Sequence, residues 1–137
     1  MVSGIDGLAG VLVFTSPERF PAMESFYVDV LELSPRSRRP GFVNFSWGDQ
    51  RLTIAVHSEV ADRTTEPDRI MVNLRCRDLD GEYRRLVTLG VEVVRPPDSE
   101  SWGGRICTLV DPDGNRVQLI QLAEDIQELE YTGGSSG

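Results

Sequence analysis

A strand, a helix and then two or three further strands recur in the same order twice along this chain of 137 residues, and that repetition limits the folds open to it. Gly10 to Thr15 (GVLVFT) reads as a buried strand. Ser16-Pro17 then opens a helix, with Ser in the capping position and Pro at the first helical one, where its missing N–H leaves no bond unmade. Phe20, Met23, Tyr27, Val30 and Leu31 recur at helical spacing and give that helix one apolar face, which ends near Leu33 ahead of Pro35. A polar, Arg-rich stretch leads to Phe42–Trp47 and Arg51–His57, which the Gly48-Asp49 turn joins into an antiparallel hairpin. After a polar linker from Ser58 to Asp68 the order returns, at an offset of roughly sixty residues. Ile70–Cys76 is the strand and Asp78–Leu89 the helix, with Leu79, Tyr83, Leu86 and Val87 as its buried face and Gly90 placed for a left-handed end. Val91–Val94, Arg105–Val110 and Arg116–Gln121 complete the set.

The last strand is launched by Asp111-Pro112-Asp113-Gly114-Asn115. Pro112 presets φ for the first corner of a turn, Asp113 and Asn115 can cap it with their side chains, and Gly114 supplies a positive φ that other residues resist. Such a turn is a generic hairpin signal. Repeats of βαββ type also occur in ferredoxin-like domains, so the elements alone leave the fold open between these.

Composition narrows the function classes. A net charge of -8 argues against nucleic acid, whose phosphates require clustered cations, and Arg36, Arg38 and Arg39 form only one short basic run. All fourteen cations are Arg, which excludes Schiff-base lysine chemistry and a Walker-type phosphate lysine. No stretch has the roughly 18 apolar residues of a membrane helix, and residues 1–10 lack a secretory pattern, so the expected compartment is the cytoplasm. Cys76 and Cys107 fall on separate strands and read as free, partly buried thiols rather than a disulfide or a zinc pair.

Several short motifs stand in a telling order. GVLVFTSPERF precedes a helix ending SFYVDVLELS; RDLDGEYRRLVTLGVEV, WGGR before a strand, and DPDGN before the last strand follow. Together they cover nearly the whole chain and resemble the vicinal oxygen chelate superfamily, which includes glyoxalase I, extradiol dioxygenases, fosfomycin thiol transferases and bleomycin resistance proteins. The resemblance is greatest to the small bleomycin-resistance-like branch. It implies an α+β fold in which two βαβββ modules, about 8–57 and 69–122, form a concave mixed sheet within a single domain over residues 1–131. The stretch 123–131, with Ile126 and Leu129 at helical spacing, is a C-terminal extension and 132–137 a flexible tail.

Metal-using members of that superfamily place one ligand early in each module's first strand and one in its final strand. Alignment on the motifs puts Gly10, Ile54, Met71 and Gln118 there. Only Gln118 offers a hard oxygen, so no metal or other cofactor is expected. His57, the only histidine, lies three residues past Ile54, and alternation then points it to the opposite sheet face. If Met71 and Gln118 face inward, Asn73, Arg75, Arg116 and Ile120 do too; Leu12 and Phe14 follow Gly10, and Leu52 and Val56 flank Ile54. Phe14, Met71, Asn73, Arg75, Trp102 and Gln118 are the candidate ligand-binding residues, an apolar and aromatic wall with a few polar anchors. No residue is assigned a catalytic role. The expected function is metal-free binding of a small organic molecule, aromatic or cationic, of the drug sequestration or resistance kind, with the chain's acidity attracting cations. A metal-dependent or metal-free lyase, isomerase or dioxygenase of the same superfamily is the alternative. A homodimer is expected, with no nucleic-acid or membrane partner.

Overall fold

The computed structural model describes the backbone of residues 3–135 and the side chains of residues 3–129. The chain divides into two compact units, Met1–Asp62 and Arg63–Gly137. In the first, β1 (Gly10–Thr15), α1 (Phe20–Ser25), β2 (Ser37–Arg39), β3 (Phe42–Trp47) and β4 (Gln50–Val56) make one βαβββ module. In the second, β5 (Met71–Arg75), α2 (Leu79–Thr88), β6 (Val93–Ser99), β7 (Arg105–Val110) and β8 (Arg116–Gln121) repeat it, and α3 (Ala123–Ser135) follows. Each unit holds a four-stranded mixed sheet, of order β1-β4-β3-β2 and β5-β8-β7-β6, so the ferredoxin-like alternative with a single four-stranded sheet falls away. The segment expected to be a tail begins within α3, and residues 136 and 137 lie outside the described residues.

The element boundaries show where local chemistry acted. Ser16 does cap: its Oγ accepts from Arg19 N at 3.3 Å and its carbonyl from Phe20 N at 3.0 Å. Residues 17–19 are spent on a turn, however, and the regular helix begins at Phe20 rather than Pro17, with Pro21 in its first turn. Phe26–Val30 then widens to π-helical winding, with Leu31 N donating to Phe26 O at 2.8 Å, and Glu32 at φ 58 ends the helix. β6 runs further than Val91–Val94 predicts, through Pro96 and Pro97. That is tolerable because β6 is an edge strand and its pairing with β7 shifts register on either side of Arg95.

Register assigns every strand residue to a face. β1 pairs in parallel with β4, Val13 opposite Ile54, and β4 pairs with β3, Ile54 opposite Val43. Ile54 and Val43 are fully buried, Phe45 and Leu52 nearly so, and with Phe20, Met23 and Tyr27 they form the core on the α1 side. The opposite, open face carries Gly10, Leu12 and Phe14 from β1, with Arg51, Thr53 and Ala55 opposite them on β4. In the second unit α2 packs Leu79 and Leu86 against β6, β7 and β8, whose inward residues include Cys107, Leu109, Val117 and Leu119. The open face there carries Met71, Asn73 and Arg75, paired with Arg116, Gln118 and Ile120.

Two expectations are thereby corrected. Ile54, with Leu52 and Val56, belongs to the helix-side core and not to the face of Gly10; Thr53 is the β4 residue on that face. His57, three residues on, consequently shares the open face with Phe14, its ring meeting that of Phe14 edge-on at 5.0 Å. A one-residue offset moves a whole set of side chains across a sheet.

This assignment is testable by stability. Ile54→Ala should cost about 2–5 kcal/mol in urea unfolding because it opens a cavity in a closed core. Leu12→Ala, at a position 63% exposed, should stay within about 0.5 kcal/mol of wild type.

Candidate functional site

The open face of the first unit is built in rows across its strands. One row is Arg39, Phe42, Ala55 and Phe14; the next is Ser37, Asn44, Thr53 and Leu12. Arg39 lays its guanidinium 3.8 Å above the Phe42 ring, a cation–π contact that fixes it over the aromatic row. Leu12 and Phe14, 63% and 40% exposed, present apolar surface, whereas Asn44, Thr53 and Ala55 behind them are buried. The Oδ1 atom of Asn44 is buried without a hydrogen-bond partner among the described residues. His57 Nδ1 accepts from Glu59 N at 3.0 Å, which places the neutral ring's proton on Nε2.

The second unit's open face is more self-contained. Gln118 Nε2 donates to Asn73 Oδ1 at 3.0 Å, joining two of the expected binding residues. Arg75, a third, is largely committed elsewhere: its Nη2 and Nε donate to the two carboxylate oxygens of Asp125 at 2.6 and 3.1 Å. Asp125 is buried, and its Oδ2 also accepts from Leu122 N at 3.2 Å, so one carboxylate starts α3 and holds it to β5. The Arg75 guanidinium beside it holds the Asp125 carboxyl below its ordinary value. Arg116 Nε donates to Asp68 at 3.0 Å, and Arg95 pairs with Asp98 and Glu100. Met71 is 43% exposed and free to contact a ligand. Trp102, 53% exposed, folds its indole over Gly104, where a side chain would collide with ring atoms Cζ3 and Cη2. An open hollow of about 280 Å³ lined by residues including Thr64, Arg69 and Asn115 lies beside the closing turn, away from the strand residues of either open face.

Of the expected set, Met71, Asn73, Arg75 and Gln118 share one sheet face, Phe14 lies on the other unit's sheet, and Trp102 sits in the loop before β7. Asn44, Thr53, Arg39 and Phe42 were not among them. Their signal was present, since period-two alternation from Phe42 brings Asn44 to the same face, but it is visible only once the register of β4 is known. The two cysteines are free, and burial pushes each thiol up to about 11, leaving both protonated and weakly nucleophilic at neutral pH.

The superfamily's metal positions do not make a donor set here. A Cβ at Gly10 would run into the Arg51 carbonyl, so no ligating side chain fits there without parting β1 from β4. Ile54 faces the core, Thr53 offers a hydroxyl in its place, and Met71 and Gln118 offer a thioether and an amide. Among the described residues no three His, Cys, Asp or Glu side chains come together as a metal cluster. This set does not fit a catalytic divalent ion, which ordinarily takes about three such ligands.

Residues 16–119 match the glyoxalase family, described as the Glyoxalase/Bleomycin resistance protein/Dioxygenase superfamily. The chain belongs to that superfamily. A bleomycin resistance protein of Klebsiella pneumoniae is 36% identical over 55 residues, which are 35% of this chain and 44% of that protein. The match thus spans under half the length of this curated relative. Among solved structures, a glyoxalase/bleomycin resistance protein/dioxygenase from Nocardioides superposes with a TM-score of 0.70 at 21% identity, covering 90% of this chain and 87% of that one. TnmS3, an antibiotic binding protein from Streptomyces sp. CB03234, does so at 0.67 and 24% identity, covering 88% and 98%. At such identities these likenesses establish the fold. No helix among the described residues is long and apolar enough to cross a membrane.

The Arg75–Asp125 pair has a pH signature. Because the folded carboxyl titrates below its unfolded value, the pair stabilises fully above that unfolded value, about 3.9, and its contribution is lost as pH falls through the lower folded value. Asp125→Asn should therefore lower the Tm at pH 7, and the gap to wild type should close under acid conditions. A gap independent of pH would show that the charge is not what matters.

Proposed function

We propose that this chain is a metal-free small-molecule binding protein of the glyoxalase/bleomycin-resistance type, with drug sequestration or resistance as its role. The observation that carries this reading is the donor set: a glycine, a threonine or core isoleucine, a thioether and an amide stand where a chelating enzyme needs acids and imidazoles. What remains on the open faces is apolar and aromatic surface with a few hydrogen-bonding groups, the composition of a ligand site. Proposed ligand contacts are Phe14 on the first unit's open face and, on the second unit, Met71, Asn73, Gln118 and Trp102, while Arg75 contributes chiefly by holding Asp125 and α3 in place. The names of the Klebsiella and Streptomyces relatives agree with such a role.

One observation favours the enzymatic alternative, a lyase, isomerase or dioxygenase: the single imidazole, His57, lies on an open face beside Phe14. A turnover lost on His57→Ala with the fold intact would select that reading over binding.

We further propose a homodimer, since β1 and β5 are edge strands that a twofold partner can cover. Light scattering should give twice the 15.3 kDa chain mass at micromolar concentration, and a monomer mass would refute it. For binding, a thermal-shift screen against aromatic antibiotics, aldehydes, glutathione adducts and catechols should yield a stabilising compound without added metal. The gain should be about 2.7 kcal/mol at a concentration 100 times Kd. Stoichiometric transition metal in protein purified without chelators, lost on Gln118→Ala, would overturn the metal-free assignment.

A further inference from the structure

The first unit's open face bears no carboxylate on its strands. Its charged side chains are Arg39 and Arg51, and neither has an ion-pair partner among the described residues. The chain as a whole carries -8, so this is a local reversal of sign. On the second unit's open face, by contrast, Arg75, Arg95 and Arg116 are each paired with an acid.

We propose that the first unit's open face takes a flat aromatic molecule bearing an acidic group and an N–H donor. The ring system lies on Phe14 and Ala55 with Leu12 beside it, the N–H meets the orphaned Oδ1 of Asn44, and the acid pairs with Arg39. The geometry allows one small molecule to do all three. Phe14, Ala55, Phe42 and Arg39 lie in one row on neighbouring strands, about 4.8 Å apart at each step, and Asn44 is in the adjacent row. Stacking over Phe42 preorganises the Arg39 guanidinium while leaving its edge N–H groups free for a planar acid. Asn44 supplies the independent observation: the residue is 7% exposed and its Oδ1 has no partner among the described residues, and that oxygen is satisfied by a donor and not by an anion, which separates the two polar groups of the ligand. This inference rests on the small-molecule binding reading above, and reverses the sign of ligand expected from overall acidity.

The probes are 5-anilinonaphthalene-1-sulfonate, which carries a flat ring and, well apart on it, a sulfonate and an anilino N–H; N-phenyl-1-naphthylamine, the same skeleton without the sulfonate; and proflavine, a flat cation with N–H donors. Fluorescence and calorimetric titration of the full chain should show saturable binding of one sulfonate probe per chain. Its affinity should exceed that of the neutral analogue by about tenfold, as a charge-assisted hydrogen bond implies, and that of proflavine by more. Arg39→Gln should erase the difference between the first two probes, and Asn44→Leu should weaken both by roughly fivefold. Arg84→Gln, on the exposed side of α2, makes the same change in net charge and should alter neither. If Asn44→Leu fails to fold, the exposed Arg39 still decides the matter. Tighter binding of proflavine, or a sulfonate preference that survives Arg39→Gln, overturns the inference and leaves the binding reading standing. Failure of all three dyes together with a flat thermal-shift screen sinks both.

Discussion

The parallel pairing of the first strand with the last in each module is the constraint on which the rest of the structure depends. A parallel pair cannot be closed by a tight turn, so the chain must leave through a helix that covers one face before returning. That crossover sorts each sheet into a helix-side core and an open face, and the sorting is all-or-none because side chains alternate with a period of two. In the first unit the pairing also demands a glycine: any side chain at position 10 would collide with the Arg51 carbonyl across the ladder. The residue that a chelating relative would use for a ligand is thus held to hydrogen by the geometry of the sheet itself.

Much of this was legible in the sequence because it is written in local periodicity. Strands β1, β3, β7 and β8 fall at their expected bounds, and Leu79 and Leu86 of α2 are buried as helical spacing predicts, whereas Val87, expected on the same face, is 46% exposed. What could not be read locally was register. Ile54 and Thr53 are adjacent in RLTIAVH, both are buried, and nothing within the strand says which one faces the helix; only the pairing with Val13 and Val43 decides it. The displacement of His57 to the open face is the same ambiguity carried three residues further. Asp125 was missed for a different reason. Its partner, Arg75, lies 50 residues earlier, and long-range ion pairs leave no periodic trace, although its place three residues beyond Leu122, the residue before α3, is a helix-capping signal.

The two modules share a scaffold but treat charge in opposite ways, and this bears on what each open face can do. In the second, three arginines on the open face are neutralised from outside its central strands, by Asp68 before β5, by Asp98 and Glu100 around the edge strand β6, and by Asp125 from α3. Such pairs position backbone and helix but offer a ligand little unspent charge. In the first, Arg39 is held by an aromatic ring rather than by a carboxylate. A cation over a ring keeps its full charge and most of its donors, because the ring's quadrupole attracts it without satisfying its N–H groups. Net charge measured over the whole chain averages these environments away. It governs long-range encounter, whereas affinity at contact is set by the few groups a bound molecule touches, and on the first unit's open face those groups are two arginines, aromatic and aliphatic surface, and one acceptor without a donor among the described residues.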